Sequence, residues 1–216
     1  EALKMTTGSQ NRLERRGAVH RLLAERSPDL LIVAGLGSAI WDAETAGETP
    51  LNFYLLGAMG SATPTALGLA TAQPNKRVVA LVGDAELAMG MWALATIGWR
   101  KPDNLSVVCL DNGRFGETGG QISHTGVNLD LAGVAAASGF QTVRRVNDDA
   151  GIDELRDLVM NGPGPVFGLV EITANMPPVQ MPIRNGVIGM ARFREALLPD
   201  SSNLFHNFFD RWFDDL

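Results

Sequence analysis

Five short segments rich in β-branched and other apolar residues recur along the chain, most of them separated by stretches with helical spacing of apolar residues. The predicted strands are Leu30–Ala34, Val78–Val82, Leu105–Leu110, Thr142–Val146 and Val166–Ile172. The predicted helices are Asn11–Arg26, Ser61–Thr71, Leu87–Trp99, Asp130–Ser138 and Asp148–Met160. Strands that are buried on both faces of a sheet read as continuous apolar runs. The pattern therefore predicts an α/β fold, an open parallel sheet flanked by helices on both faces.

Length and composition limit how this fold is divided. The chain has 216 residues and is 45% hydrophobic, enough for one substantial core and short for two full domains. We expect an N-terminal extension with a first helix over residues 1–28, the sheet domain over 29–174, and a C-terminal segment over 175–216. Within that segment, Asn175–Gly189 is rich in proline and is expected to form an extended arm or loop. An amphipathic aromatic helix that packs on its own domain or on a partner should follow, with Leu204, Phe205, Phe208, Phe209, Trp212 and Phe213 at helical spacing.

Charge and cysteine content exclude several classes of function. The formal net charge of -6 provides no broad positive field for nucleic acid. The single cysteine, Cys109, cannot form an internal disulfide or hold an iron–sulfur cluster by itself, and its apolar surroundings predict a buried thiol. No apolar stretch is long enough for a membrane span or a signal peptide. We expect a cytoplasmic protein with no nucleic-acid or membrane partner.

Two polar motifs directly follow predicted strands. Gly83–Glu86 has the sequence GDAE, and Asp111–Gly113 has the sequence DNG. A strand–helix–strand crossover of this length returns the chain to the same edge of the sheet, so Asp84 and Asn112 are expected to converge. One carboxylate and one amide oxygen suit Mg²⁺, which completes its octahedron with phosphate oxygens and water. The glycines let backbone N–H groups approach phosphates, and the helix after Ala85 is expected to point its positive end at them.

This arrangement resembles the diphosphate-binding domain of thiamine diphosphate (ThDP)-dependent enzymes, whose fingerprint is Gly-Asp-Gly followed one crossover later by Asn-Asn or Asp-Asn. The upstream segment Gly57–Gly60, with Pro64 shortly after it, resembles the family's Gly-x-hydrophobic-Gly segment. Ala85 departs from the fingerprint; a left-handed backbone there would cost about 1 kcal/mol. Glu86 places a carboxylate near the expected diphosphate, unless its side chain turns outward or meets helix N–H groups.

The resemblance implies a role for each motif residue. Asp84 and the Asn112 side chain would bind Mg²⁺, with the Arg114 carbonyl oxygen as the third protein ligand. Gly57 would offer its carbonyl oxygen to the aminopyrimidine ring. Met59 would be the apolar wedge that holds the cofactor bent, although an ordinary core position is the alternative. The remaining candidate cofactor-binding residues are Gly83, Ala85, Glu86, Phe115 and Gly116.

The segments Asp111–Gly113 and Glu117–Gln121 most resemble the 2-oxoacid decarboxylases that act on sulfopyruvate and phosphonopyruvate. This resemblance implies ThDP and Mg²⁺ as cofactors and a small anionic 2-oxoacid as substrate. It also implies that the catalytic glutamate belongs to a pyrimidine-binding α subunit, a separate chain, in a hetero-oligomer of α2β2 or larger composition. Thr118 and His124, in the loop after the second motif, are candidate catalytic or substrate-binding residues, although histidines in such loops are more often surface residues without a role in the site.

Other functions remain open at this point. A ThDP-dependent oxidoreductase subunit would usually carry cysteine-ligated clusters, which one cysteine does not support. A carboligase or C–C lyase subunit would use the same cofactor chemistry. A non-catalytic cofactor-binding regulatory subunit, or a plain nucleotide-binding module, is favoured by Ala85 and Glu86.

Overall fold

A computed structural model of the chain describes residues 12–198. Its main sheet has six parallel strands in the order β2-β1-β3-β4-β8-β7, and β5 and β6 form a separate antiparallel hairpin. The strands are β1 (Leu31–Ala34), β2 (Asn52–Tyr54), β3 (Val78–Gly83), β4 (Leu105–Asp111), β5 (Arg114–Phe115), β6 (Gln121–Ile122), β7 (Thr142–Val146) and β8 (Val166–Glu171). The helices are α1 (Arg15–Leu22), α2 (Ser38–Thr45), α3 (Ala62–Ala72), α4 (Asp84–Met89), α5 (Trp92–Arg100), α6 (Leu131–Ala137), α7 (Asp149–Asn161) and α8 (Gly186–Leu197).

The parallel sheet flanked by helices confirms the predicted fold class. Side chains alternate between its two faces, so that in β1 Leu31 and Val33 join one core while Ile32 and Ala34 join the other. Helices α3, α5, α6 and α8 cover the first face, and α1, α2 and α7 cover the second. Cys109 in β4 is fully buried, as predicted, and burial raises the pKa of its thiol well above the usual value.

Three predicted elements differ in the structure. The helix expected over Asn11–Arg26 is described only from Arg15 to Leu22, because Glu14 caps it by accepting hydrogen bonds from two backbone N–H groups. The helix expected over Leu87–Trp99 is two helices, which begin earlier, at Asp84, and are interrupted at Gly90. The expected arm Asn175–Gly189 ends sooner than predicted, since Asn185 caps α8. The aromatic tail and its expected helix lie outside the described residues.

The helices at the two ends of the described chain both pack on the sheet domain. Leu13 bridges to Ile172 in parallel, and α1 contacts α2 and α7. In α8, Phe193 is buried against Phe53, with ring centroids 5.2 Å apart. The domain boundaries expected near residues 28 and 174 remain predictions.

The order of the strands opens a crevice between β1 and β3. After β1 the chain passes into α2 on one face of the sheet, whereas after β3 it passes into α4 and α5 on the other face. Two neighbouring parallel strands whose connections leave in opposite directions form a topological switch point, where ligands bind beyond the carboxyl ends of the strands. The candidate site is therefore expected at the ends of β1 and β3.

Helix α5 packs so closely on the end of α6 that Gly98 has no room for a side chain. A Cβ atom on Gly98 would lie 1.7 Å from the Ser138 carbonyl oxygen. We expect Gly98→Ala to lower the free energy of unfolding by about 1–3 kcal/mol, the usual cost of overpacking, as measured by urea denaturation. Gly68→Ala, in α3 with open space around the new methyl group, is the matched control and should be neutral or stabilising; an equal loss in both variants would contradict this account.

Candidate functional site

A cavity of about 180 Å³ lies at the carboxyl ends of β1, β3 and β4. It brings together all of the sequence-predicted site residues except Gly57 and His124. Segments far apart in the chain meet there, as the crossover argument anticipated. The lining residues are Leu36, Gly37, Ser38, Ala39, Met59, Gly83, Asp84, Ala85, Glu86, Leu110, Asn112, Arg114, Phe115, Gly116, Glu117, Thr118, Ile172 and Met176.

Asp84 is the first residue of α4 and is buried, with 3% of its surface exposed. The Ser123 hydroxyl donates to its Oδ2, and Thr125 Oγ1 lies 2.8 Å from that oxygen and 2.8 Å from Asp111 Oδ1. One hydroxyl proton cannot serve both carboxylates fully. Burial, together with the charge of Asp111, raises the pKa of Asp84 despite these hydrogen bonds. The pair therefore concentrates negative charge that a cation would neutralise.

Asn112 shapes the turn that follows β4. Its side-chain Oδ1 accepts a hydrogen bond of 2.8 Å from the Arg114 backbone N–H, and Gly113 between them has φ +68°, a conformation that favours glycine. The Gly113 carbonyl oxygen in turn accepts from the Ser123 N–H at 2.9 Å. The turn and the β5–β6 hairpin thus hold Ser123 next to the segment that carries Asn112. The Arg114 side chain is exposed and donates to the Gly120 carbonyl oxygen.

The two departures from the fingerprint are accommodated in α4. Ala85 lies inside the helix and is not among the described non-glycine residues with positive φ, so the expected backbone cost does not arise. The expectation that a helix begins after Ala85 was wrong, because Asp84 is already helical and Gly83 is the N-cap. Glu86 meets backbone N–H groups, as one of the two expected arrangements had it: its Oε1 accepts from the N–H groups of Gly60 and Ala62 at the start of α3. Burial raises the pKa of Glu86 to about 7.

The segment before α3 lies at the edge of the cavity. Met59 is 38% exposed and lines the cavity, and it belongs to neither hydrophobic core. Gly57 is exposed and does not line the cavity. Gly60 has φ +80°. It packs directly against Gly90, because a Cβ atom added to Gly90 would lie 2.1 Å from the Gly60 carbonyl oxygen. The α4–α5 junction therefore holds this segment in place.

Of the two loop residues expected to act on substrate, Thr118 lies at the cavity and His124 does not. Thr118 lines the cavity, but its hydroxyl donates to Gln121 Oε1 at 2.8 Å. His124 is exposed and lies edge-on to Phe115, with ring centroids 6.3 Å apart. Within residues 12–198, no three His, Cys, Asp or Glu side chains are grouped as a metal site. A metal at this edge would therefore need amide or carbonyl ligands besides Asp84.

Sequence reasoning missed several residues of the site. Ser123 and Thr125 were not singled out because they contact Asp84 across 39 and 41 positions of sequence. Gly37 and Ser38 were also missed, although they follow a predicted strand and the strand-end rule could have found them.

Comparison with known proteins places this site in a family. The family model described as thiamine pyrophosphate enzyme, C-terminal TPP binding domain, matches residues 37–170. The chain belongs to this family. Thiamine pyrophosphate (TPP) is a synonym of ThDP. The matched domain includes β3, β4 and the β5–β6 hairpin, which contribute residues to the cavity. The resemblance inferred from the two motifs is thereby confirmed.

The similar proteins differ in the share of their own length that this chain covers. The chain is 35% identical over 172 residues to sulfopyruvate decarboxylase subunit beta of Methanothermobacter thermautotrophicus, covering 78% of this chain and 89% of that subunit. It is 38% identical over 149 residues to phosphonopyruvate decarboxylase of Streptomyces viridochromogenes, covering 69% of this chain but 36% of that protein. The structure of benzoylformate decarboxylase from Polynucleobacter necessarius superimposes with a TM-score of 0.68 at 17% identity, covering 83% of this chain and 36% of that one. This last match supports the fold alone.

No helix in the described part of the chain is long and apolar enough to cross a membrane.

Proposed function

We propose that the chain is the β-type subunit of a two-component, ThDP- and Mg²⁺-dependent 2-oxoacid decarboxylase. The observation that carries the proposal is the contrast in coverage between its relatives. The chain spans 89% of a sulfopyruvate decarboxylase subunit named beta, but only 36% of phosphonopyruvate decarboxylase. A region present in the longer relative and not matched by this chain would then be supplied by a separate subunit.

The proposed Mg²⁺ ligands are Asp84, the Asn112 side chain and the Arg114 carbonyl oxygen. Their chemistry fits the ion, because Mg²⁺ is a hard cation that prefers oxygen ligands and retains positions for phosphate oxygens and water. Ser123 and Thr125 both approach Asp84 Oδ2, which leaves Oδ1 to coordinate the ion. Hydroxyls that hold a ligating carboxylate in this way fix its orientation.

The chain's remaining proposed contacts orient the organic part of the cofactor. Met59 would pack against it as an apolar wedge, and the Gly57 carbonyl oxygen would accept a hydrogen bond from its aminopyrimidine. Gly83, Ala85, Glu86, Phe115 and Gly116 would complete the pocket, Glu86 through its hydrogen bonds to Gly60 and Ala62 rather than by touching the cofactor. When bound, ThDP supplies an electron sink for the bond that breaks as CO₂ leaves. The protein's own contribution is to position the substrate, exclude water and place the cofactor.

The size of the cavity supports a site completed by a partner. Sites that enclose a drug-sized ligand usually measure about 300–1,000 Å³, whereas this cavity measures about 180 Å³. We propose that a pyrimidine-binding α subunit closes the remaining side and provides the catalytic glutamate, in a hetero-oligomer of α2β2 or larger composition. A cytoplasmic location is part of the same proposal, as one buried free cysteine suits a reducing compartment.

The substrate is proposed to be a small anionic 2-oxoacid. Thr118 lines the cavity and is the better placed of the two loop candidates. His124 is exposed beside Phe115, where it could meet substrate only if the loop or the partner changed its position. Both roles would be tested by substrate titration of Thr118→Val and His124→Gln complexes.

Calorimetric titration and product analysis test the proposed function. ThDP and Mg²⁺ are titrated into the chain alone, into the partner alone and into the two together, and CO₂ release from sulfopyruvate and phosphonopyruvate is then followed. We expect tight cofactor binding and decarboxylation only for the complex. Absence of ThDP binding in every case would refute the proposal, and a carbon–carbon ligation product without net CO₂ release would replace decarboxylase by carboligase.

A further inference from the structure

Glu86 reaches from α4 to the segment that carries Met59. Its side chain is buried, with 2% of its surface exposed. The Oε1 atom accepts hydrogen bonds from the Gly60 N–H at 3.0 Å and from the Ala62 N–H at 3.3 Å. These contacts join two parts of the chain that are separated by a complete helix and strand, α3 and β3.

One of the two bonds, the one from the Ala62 N–H, supplies a cap that α3 lacks. Ser61 occupies the N-cap position of α3, but its side chain makes no capping hydrogen bond. The first N–H groups of a helix have no partner within it and need an acceptor from elsewhere. Glu86 provides that acceptor from a distance, so the start of α3 depends on α4.

The space around Glu86 is fitted closely to its side chain. A Cβ atom on Gly35, just after β1, would lie 2.7 Å from Glu86 Cδ. On the other side of the segment, a Cβ atom on Gly60 would lie 2.8 Å from the Gly90 backbone nitrogen. The segment is thus held between the Glu86 carboxylate and the Gly90 backbone. The other carboxylate oxygen of Glu86, Oε2, is buried without a hydrogen-bond partner among the described residues, an arrangement that costs stability.

We infer that Glu86 is a positioning residue, which holds the Gly57–Gly60 segment so that Met59 stays at the edge of the cavity. The inference rests on the proposed function, because Met59 matters as a wedge only if the cavity binds ThDP. Glu86 acts through the segment and not on the metal ligands. Its loss should therefore affect the orientation of the cofactor ring more than the anchoring of the diphosphate.

Hydrogen exchange of individual backbone amides tests the inference without relying on activity. In Glu86→Ala, the Gly60 and Ala62 amides should exchange roughly tenfold faster, as expected for the loss of a hydrogen-bond acceptor, with β3 and β4 as protected as in the wild type. Glu86→Gln should restore protection, because its amide oxygen can accept the same two bonds. Glu154→Ala, an exposed carboxylate on α7, is the control and should behave like the wild type.

Gly35→Ala provides an independent variant that leaves the carboxylate in place. The added methyl group should displace the Glu86 side chain and expose the same two amides. In a double-mutant cycle, Gly35→Ala should add little once Glu86 is alanine, because both changes break one contact. Unchanged exchange at Gly60 and Ala62 in Glu86→Ala, faster exchange throughout the chain, or failure of glutamine to restore protection would each overturn the inference.

Kinetics of the reconstituted complex separate positioning from binding. In Glu86→Ala, we expect turnover to fall about 10- to 100-fold, as is typical of misplaced reacting groups, while the concentration of ThDP needed for half-maximal activity changes little. An equal loss in cofactor affinity with unchanged turnover would overturn the positioning role. If the wild-type complex bound no ThDP, the proposed function would fail by itself, and the exchange data would still decide whether Glu86 holds the segment.

Discussion

Asp84→Ala is expected to abolish Mg²⁺-dependent ThDP binding, with a loss of affinity greater than about 100-fold. Removal of a residue that only hydrogen-bonds to a metal ligand already lowers metal affinity by up to about 100-fold, and removal of a ligand itself should cost more. The carboxylate is the only charged group among the three proposed ligands. Without it, Mg²⁺ would have to be held by neutral oxygens alone. Titration calorimetry of the reconstituted complex, with and without Mg²⁺, measures the effect.

The same substitution should leave the fold intact, which separates binding from stability. Asp84 is buried, and burial together with the charge of Asp111 raises its pKa, so removal of the Asp84 carboxylate relieves an unfavourable buried charge. Chelation of Mg²⁺ should reproduce the binding defect in the wild type and add nothing in Asp84→Ala. Asp157→Ala, an exposed change on α7, is the control. A variant complex with unchanged cofactor affinity would show that Asp84 is not a metal ligand.

Asp42→Ala should lower the free energy of unfolding by about 3–5 kcal/mol, the cost of leaving a buried charge without its partner. Asp42 is fully buried in α2, where it forms an ion pair with Arg15, which is 1% exposed, and a second with Arg16 at 3.2 Å. Among the described residues, Arg15 forms an ion pair with Asp42 alone. Urea denaturation followed by circular dichroism gives the change.

Two further variants identify the cause of that loss. Asp153→Ala removes a surface partner of Arg21 and should produce little change, because exposed ion pairs contribute little. Arg15→Met combined with Asp42→Leu should recover much of the stability, because an apolar pair needs no counter-charge. If the double variant were as unstable as Asp42→Ala, the loss would reflect packing rather than an unpaired charge.

The sequence predicted the buried strands well because burial on both faces leaves an unambiguous apolar run. β7 was predicted at its observed bounds, and β3 and β4 each extend one residue further than predicted. The interruption between α4 and α5 was missed because its cause, contact between Gly90 and Gly60, is thirty positions away in sequence. The short elements α2 and β2 were also missed, since neither is long enough to establish a period.

The sequence predicted those residues of the candidate site that lie at the ends of strands. Asp84 and Asn112 both line the cavity because parallel strands deliver their ends to one edge. Ser123 and Thr125 reach Asp84 only through the β5–β6 hairpin, which is two residues long on each side and leaves little trace in the pattern of apolar residues. Hydrogen bonding of Glu86 to helix N–H groups was one of the two expected arrangements, but its particular partners, Gly60 and Ala62, were not predicted, because backbone amides carry no sequence signal.

The cavity is assembled from segments that follow β1, β3, β4 and β8, together with Met59. These segments are far apart in sequence, so they are not brought together in an unfolded chain. A ligand of this cavity would thus bind the native state and ignore the denatured one, adding about 2.7 kcal/mol to folding at a free concentration of 100 times its dissociation constant. Cellular proteases act on denatured chains, so the steady-state abundance of this protein would rise and fall with the supply of whatever fills the cavity.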